Sequence, residues 1–214
     1  MDTPKLTTLF CDLDDTLYPS NTGLWGEIAV RINRFMHERL GLPLEQIAEV
    51  REAYFRQYGT TLRGLQANHR VDVDDYLAFV HDVPLADYLR PDPGLRAALQ
   101  RLSLRKYIFT NADAAHARRV LKALDLEGLF DGIFDIHTIA PYCKPMPEAF
   151  ELALAAAGGL DPRAVVLIDD QPRITRAARQ LGFYTVLVGR NGAAPDADLV
   201  IERLSALPGL PMGA

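Results

Sequence analysis

Asp12 and Asp14 are the residues best placed to do chemistry, because they follow directly on an apolar run at residues 6–11. A strand that ends in two carboxylates at i and i+2 presents both acids on one side if the extended conformation continues. In a partly dry site, such close acids raise each other's pKa unless a cation joins them. Mg²⁺ prefers oxygen ligands and fits that position. A solvated acidic turn is the alternative, since Asp is common in turns.

Three further polar clusters each follow a predicted strand or precede a predicted helix: Thr110-Asn111, Lys144 and Asp169-Asp170. Taken singly, the first and third could be helix N-caps, and Lys144 could be a solvated loop charge. Taken together with the first acid pair, they supply two pairs of acids, a hydroxyl group and a lysine at one sheet edge. That inventory suits phosphoryl transfer, in which cations neutralise phosphate oxygens and donors orient them.

The elements that must position these residues alternate between strands and helices. Apolar segments predict strands at residues 6–11, 106–110, 132–136, 164–169, 184–188 and 198–201. Helical periods lie between them at 113–123, from Pro147 through Ala157, and from Pro172 to Gly182. This alternation predicts an α/β fold with a doubly wound parallel sheet, a Rossmann-like core.

The stretch from residue 24 to residue 89 breaks that rhythm, with helical patterns at 24–39, 44–58 and 73–80 and no convincing strand. It predicts an all-helical cap inserted after the first strand. We assign residues 1–17 and 90–205 to the core, 18–89 to the cap and 206–214 to a C-terminal tail. An insertion at this point would cover the strand ends, where ligands bind in open α/β sheets, and could exclude water.

The composition of the chain argues against a nucleic-acid polymer or a membrane as its partner. The 214 residues carry a formal net charge of −5, so no overall basic surface points to a nucleic-acid polymer. Two cysteines make no disulfide framework, and no apolar run approaches membrane-spanning length. We expect a cytoplasmic protein, a monomer or homodimer, with a small-molecule substrate and no membrane partner.

The four polar clusters, taken in order, resemble the four successive motifs of the haloacid dehalogenase-like hydrolases. The likeness runs from Leu6 to about residue 189, with a helical cap after the first motif. A closer likeness is to the pyrimidine 5′-nucleotidase branch of that superfamily. It rests on Leu17-Tyr18-Pro19, the cap residues 58–65, Val80-His81-Asp82 and the residues 109–112.

The resemblance implies a role for each acid. Asp12 would attack phosphorus and form a phosphoaspartate, and Asp14 would protonate the leaving oxygen and later deprotonate water. Mg²⁺ would bind the Asp12 carboxylate, the Asp14 backbone carbonyl and the Asp170 carboxylate, with Asp169 in or near that shell. Dehalogenases of the superfamily lack an acid at the position of Asp14, so its presence favours phosphate esters. One departure is Ile174, where the fourth motif often carries a further acid or amide.

The remaining roles follow the same resemblance. Thr110 would hydrogen-bond a phosphoryl oxygen with help from the Asn111 amide, and Lys144 would offset carboxylate and phosphate charge. Tyr18 could stack on a base or pack as a lid contact, and Arg63 could recognise a base carbonyl or form a surface ion pair. We expect Asp15 to cap the turn, and His81 and Asp82 to make hinge or structural contacts. We expect surface or structural roles for three other histidines, namely His69, His116 and His137.

The sequence thus predicts a Mg²⁺-dependent phosphomonoesterase that acts on pyrimidine nucleoside 5′-monophosphates. The alternatives are a phosphatase of pyridoxal phosphate, a sugar phosphate or a flavin phosphate, and a phosphomutase. A non-catalytic protein that binds a phosphate ligand is the rival outside the enzyme class.

Overall fold

The computed structural model describes residues 5–189, 195–207 and 210. The chain forms two compact units, one combining the residues up to Thr22 with those from Leu89 onward, the other formed by Gly23–Tyr88. The predicted cap at 18–89 begins five residues earlier than this second unit and ends one residue later. Most of the predicted tail at 206–214 lies outside the described residues.

The first unit contains a parallel six-stranded sheet. Its strands are β1 (Thr8–Cys11), β2 (Arg105–Phe109), β3 (Gly132–Phe134), β4 (Val165–Asp169), β5 (Tyr184–Val188) and β6 (Leu199–Ile201). Their order in the sheet is β3-β2-β1-β4-β5-β6, and every neighbouring pair is parallel. Strands covered on both faces are mostly apolar, and β1 and β4, which are apolar except at Thr8 and Asp169, are buried at every residue. The predicted doubly wound sheet is confirmed.

Nine α-helices lie in the described part of the chain. They are α1 (Leu24–Glu38), α2 (Leu44–Tyr58), α3 (Thr61–Asn68), α4 (Val73–His81), α5 (Leu85–Tyr88), α6 (Pro93–Arg101), α7 (Ala114–Ala123), α8 (Pro147–Ala156) and α9 (Pro172–Gln180). The first five belong to the second unit, which contains no strand among its residues. The other four belong to the sheet unit. Proline begins α6, α8 and α9, where its missing N–H is not needed.

Strand order places a topological switch point at β1. The strands β2 and β3 lie on one side of it, and the chain then crosses to the other side to form β4, β5 and β6. Register aligns the strand ends, because Cys11 pairs with Ile108 of β2 and with Ile168 of β4. The residues that follow these three, Asp12, Phe109 and Asp169, therefore lie at one level at the edge of the sheet. Ligands of open α/β sheets bind at such a point, beyond the carboxyl ends of the strands.

An aromatic cluster fills the core beneath that edge. The Phe10 ring lies 5.8 Å from Phe109 and 5.3 Å from Phe134, both in edge-on geometry. Phe150 of α8 joins the cluster at 5.5 Å from Phe109. Such pairs each add about 0.5–1.5 kcal/mol beyond burial, so the strand ends stand on a stiff base.

The second unit has its own core. Phe35 of α1 packs edge-on against Tyr76 of α4, with ring centroids 5.0 Å apart. Arg31 donates from Nε to the Phe79 carbonyl at 2.7 Å, which ties α1 to the end of α4. The Asp72 side chain caps α4 by accepting from two backbone N–H groups of its first turn.

Several predicted details are wrong at the strand ends. β1 ends at Cys11 and the chain then turns, with Leu17 N donating to Leu13 O at 3.0 Å, so the extended conformation does not continue through Asp14. β2 ends at Phe109, which leaves Thr110 beyond the strand. The N-cap of α7 is Asp113, so Thr110-Asn111 is not that cap. The helices α3, α5 and α6 have no counterpart among the predicted helices.

Among the described residues, no helix combines the length and the apolar character needed to cross a membrane.

Gly64 of α3 is expected to be essential to the second unit. A Cβ added there would lie 2.2 Å from Cγ of Tyr54, at the base of a side chain that cannot simply swing away. Gly64→Ala should lower the free energy of unfolding by about 1–3 kcal/mol. Urea denaturation followed by fluorescence checks this, because the chain's only tryptophan, Trp25, lies in the same unit.

Gly26→Ala is the matched control, since a Cβ on Gly26 of α1 meets no atom within 4 Å. Alanine is the better helix former, so this variant should gain about 1 kcal/mol. If the two substitutions shift stability in the same direction, close packing at Gly64 is not what limits that position.

Candidate active site

The sheet brings three of the predicted polar residues to one edge. Asp12 follows β1, Thr110 follows β2, and Asp169 is the last residue of β4. Asp12 continues the pairing by one step, because its N–H donates to Ile168 O at 2.9 Å. Thr110 N donates in the same way to Phe134 O at 3.0 Å. All three residues are buried, with at most 8% of their surface exposed, so their charges and hydrogen bonds act in a largely dry setting.

Lys144 lies between two of these carboxylates. Its Nζ donates to Asp12 Oδ1 at 2.7 Å and to Asp169 Oδ2 at 2.8 Å. Its side chain is 1% exposed, and its Nζ lies 5.0 Å from the centroid of the Phe109 ring. A solvated loop charge, the ordinary explanation of this lysine, is therefore wrong.

Asn111 holds the lysine loop in place. Its side-chain nitrogen donates to Lys144 O at 3.0 Å, and its side-chain oxygen accepts from Lys144 N at 2.8 Å. The two bonds form a closed pair between the end of β2 and the loop before α8. The Asn111 side chain thus supports the lysine, while its predicted help in binding a phosphoryl oxygen stays a prediction.

The electrostatics of the cluster follow from burial. Burial raises the pKa of Asp12 well above its usual range, although the Lys144 ammonium opposes the rise. Burial by itself would lower the pKa of Lys144, but the carboxylates of Asp12 and Asp169 outweigh it and raise that pKa. The lysine is therefore cationic at neutral pH.

The carboxylates at this edge of the sheet would be stabilised by a second cation besides Lys144. Burial and the neighbouring charges of Asp169 and Asp15 raise the pKa of Asp170 to about 7. Within the described part of the chain, Oδ1 of Asp170 and Oδ1 of Asp15 are buried and have no hydrogen-bond partner. Buried acceptors without donors are costly, and a cation removes that cost.

The donor set fits a hard divalent cation. Asp12, Asp169 and Asp170 each bring one carboxylate oxygen to within 4.8 Å of the others. Oxygen ligands in this number suit Mg²⁺, which completes its shell with water and substrate oxygens. Ile174 is 1% exposed and belongs to the hydrophobic core around Phe10, so that position contributes no ligand.

Asp14 is held separately from that cluster. Tyr18 donates its hydroxyl to Asp14 Oδ1 at 2.6 Å, and His116 Nε2 lies 2.9 Å from the same oxygen. The sequence predicts only a surface or structural role for His116 and does not reveal this contact. One signal was available, because the first turn of α7 follows β2 directly and so begins at the same sheet edge.

Two hydroxyl groups complete the sheet-edge site. Thr16 donates to Asp12 Oδ2 at 3.0 Å, so each oxygen of Asp12 accepts one bond. Thr110 Oγ1 accepts from Ala112 N at 3.0 Å, which leaves its O–H to donate elsewhere.

Arg63 lies in the second unit, on α3. Thr60 caps that helix, with its Oγ1 accepting from Arg63 N at 3.1 Å. The Arg63 side chain donates from one terminal nitrogen to Gln66 Oε1 at 2.7 Å, and the residue is 8% exposed. Arg63 is therefore not a surface residue, and its recognition of a base stays a prediction.

Comparison with known proteins gives the family and the fold of this chain. The family model of the haloacid dehalogenase-like hydrolases matches residues 6–182. The chain belongs to this family. A solved haloacid dehalogenase-like hydrolase from Streptococcus pneumoniae has the same fold, with a TM-score of 0.60 at 20% identity, covering 93% of this chain and 95% of the other.

Two curated relatives of this haloacid dehalogenase-like hydrolase are longer than it. It is 33% identical over 198 residues to phosphate metabolism protein 8 of Saccharomyces cerevisiae, covering 86% of this chain and 62% of the relative. It is 32% identical over 130 residues to enolase-phosphatase E1 of Drosophila mojavensis, covering 59% of this chain and 46% of the relative. The chain thus spans less than two thirds of either relative.

Lys144→Met is expected to destabilise the sheet unit. The substitution leaves the buried carboxylates of Asp12 and Asp169 without their shared cation, at a cost of about 3–5 kcal/mol. Urea denaturation in EDTA measures the loss. Adding Asp169→Asn should recover part of it, because one of the two unpaired charges is then gone. Lys122→Met, at an exposed site of α7, should change stability little; similar losses for both lysines would contradict the pairing.

Proposed function

We propose that this hydrolase is a Mg²⁺-dependent phosphomonoesterase that works through a phosphoaspartate on Asp12. The observation that carries the proposal is the buried Lys144 ammonium between Asp12 and Asp169, with Asp170 beside them. Carboxylates repel a phosphate dianion. A fixed ammonium group beside the carboxylates offsets this repulsion, so the phosphate can approach the attacking acid.

Asp12 would carry out the first step. Each of its oxygens accepts one hydrogen bond, from Lys144 or Thr16, and retains a lone pair for attack. A bond forms between an Asp12 oxygen and phosphorus while the ester oxygen departs. Lys144 lowers the charge repulsion on this approach, and the Thr110 O–H donates to a phosphoryl oxygen.

Asp14 would move the protons. Its carboxylic acid gives a proton to the departing oxygen, which leaves as an alcohol. Its carboxylate then takes a proton from water as the water oxygen attacks phosphorus. Inorganic phosphate departs, and the Asp12 carboxylate and the Asp14 acid are both restored.

The carboxylates of Asp12 and Asp170 would hold Mg²⁺ together with the backbone carbonyl of Asp14, and Asp169 would lie in or near that shell. When bound, the ion would supply positive charge that offsets the phosphate oxygens. Both Asp12 and Asp170 have pKa values raised by burial, which is the setting in which a bound cation is most favourable.

We further propose pyrimidine nucleoside 5′-monophosphates as substrates. The support is the likeness of Leu17-Tyr18-Pro19 and of the residues around Arg63 to the pyrimidine 5′-nucleotidase branch. A buried arginine on a helical unit is suited to donate to a base carbonyl. The cytoplasmic location and the monomeric or homodimeric state stay predictions.

Phosphate release over a panel of esters tests the reaction and the substrate class. UMP and CMP should be hydrolysed faster than AMP, pyridoxal phosphate, flavin mononucleotide and hexose phosphates, and EDTA should abolish release until Mg²⁺ is restored. Asp12→Asn should lower kcat by at least about 10³-fold, because the amide is a far weaker nucleophile.

The outcomes separate the alternatives. Full activity of Asp12→Asn would refute the nucleophile. Equal turnover of AMP and UMP would refute the pyrimidine proposal and leave the phosphatase proposal standing. Transfer of the phosphoryl group within a hexose phosphate would identify a phosphomutase, and binding without release from any ester would favour the non-catalytic alternative.

Arg63→Ala tests recognition of the base. If the guanidinium donates to a base carbonyl, KM for UMP should rise about 10- to 100-fold, the value of one or two charged hydrogen bonds. KM for p-nitrophenyl phosphate, which has no pyrimidine, should change little. Arg70→Ala removes the same charge from an exposed position of the same unit and should alter neither KM. Equal effects of Arg63→Ala on both esters would assign Arg63 a structural role.

A further inference from the structure

Two side chains converge on one oxygen of Asp14. The Tyr18 hydroxyl donates to Oδ1 at 2.6 Å, and Nε2 of His116 lies 2.9 Å from the same atom. Both partners are buried: Tyr18 is 4% exposed, and the His116 side chain is fully enclosed. Neither residue has a part in the reaction proposed above.

The histidine reaches this position from a distant part of the chain. His116 lies 102 residues after Asp14, in the first turn of α7. That turn is anchored twice, since His116 N donates to Asp113 Oδ1 at 2.8 Å and Ala114 N donates to Asp135 Oδ2 at 3.0 Å. The imidazole is therefore fixed in place before any substrate binds.

Tyr18 keeps the proton of its hydroxyl group and so remains a hydrogen-bond donor to Asp14. Burial and the adjacent charge of Asp14 raise the pKa of its hydroxyl above the ordinary value, so the O–H stays protonated at any working pH. It lies four residues after Asp14 in the loop that follows β1, and its bond closes that loop on the acid.

We propose that Tyr18 and His116 are positioning residues that fix the Asp14 carboxyl group, so that its proton is carried and delivered by Oδ2. The proposal rests on the function proposed above, in which Asp14 is the acid. A carboxylate oxygen has about two lone-pair sites, and two donors occupy both of those on Oδ1. The fixed plane of the carboxyl group then sets the direction of proton transfer. A small displacement of the Asp14 carboxyl group would lower the reaction rate.

The expected signature is a dependence on the leaving group. Butyl phosphate releases an alkoxide that needs a proton, whereas p-nitrophenyl phosphate releases a stable phenolate. Loss of correct protonation should therefore lower kcat/KM much more for the first ester than for the second. Loss of folded protein, or a general distortion of the site, lowers both alike.

Tyr18→Phe removes only the hydroxyl group. It should lower kcat/KM for butyl phosphate by at least about tenfold more than for p-nitrophenyl phosphate, a part of the 10²- to 10⁴-fold that a general acid contributes. His116→Asn should have the same effect, because its shorter side chain places no N–H at the position of Nε2. His116→Gln carries its amide one bond further and should restore most of the loss.

Asp14→Asn, assayed with the same two esters, separates this inference from the proposed function. If Asp14→Asn shows the leaving-group dependence and Tyr18→Phe and His116→Asn do not, the positioning role is refuted and the acid role stands. If Asp14→Asn shows no such dependence, the acid role and the positioning role both fail. An equal loss on both esters for Tyr18→Phe, or no rescue by His116→Gln over His116→Asn, would also overturn the proposal.

Discussion

The Lys144 ammonium offsets the repulsion between the carboxylates at the ends of β1 and β4, and so allows these strand ends to lie side by side. Register sets Asp12 next to Asp169, and two buried carboxylates at that spacing repel each other strongly in a medium of low polarity. The lysine bonds to both, and Asn111 in turn bonds to the backbone of the lysine. The end of β2 is thereby tied to the ends of β1 and β4 through one cation. The same charge arrangement that stabilises the sheet edge is the one that suits a phosphate ester.

The sheet was predictable because its signal is local. Strands buried on both faces are apolar at nearly every position, and glycine or proline marks the helices between them. Strand ends were less predictable: the chain turns after β1, with a bond from Leu17 N to Leu13 O, and Thr110 lies beyond β2 although its N–H still bonds to Phe134 O. Helix α3 has eight residues and contains Gly64, so it offers little helical periodicity and was not predicted as a separate element. Its stability comes from packing against Tyr54, which no local pattern shows.

The candidate site divides in the same way. Asp12, Thr110 and Asp169 could be placed together from sequence, because parallel strands end at one edge of the sheet. The hydrogen-bond partners of each side chain could not be predicted from the sequence. His116 is one polar residue among many on a helix, and its contact with Asp14 joins positions 102 residues apart. The residue type predicts that Asn111 helps to bind a phosphoryl oxygen, and it does not reveal that the Asn111 amide also braces the Lys144 loop. Both cases depend on tertiary contacts, which residue type and spacing do not encode.

The two ends of the helical unit meet each other. A Cβ on Gly23 would lie 3.9 Å from the ring of Tyr88, so the chain enters and leaves the unit at one point. Segments whose ends adjoin can be exchanged or lengthened without separating the strands that flank them. Evolution could thus replace residues 23–88 as a cassette while β1 and its acids stay unchanged. Such modularity would let a lineage explore new substrates by recombination, without rebuilding its reaction chemistry each time.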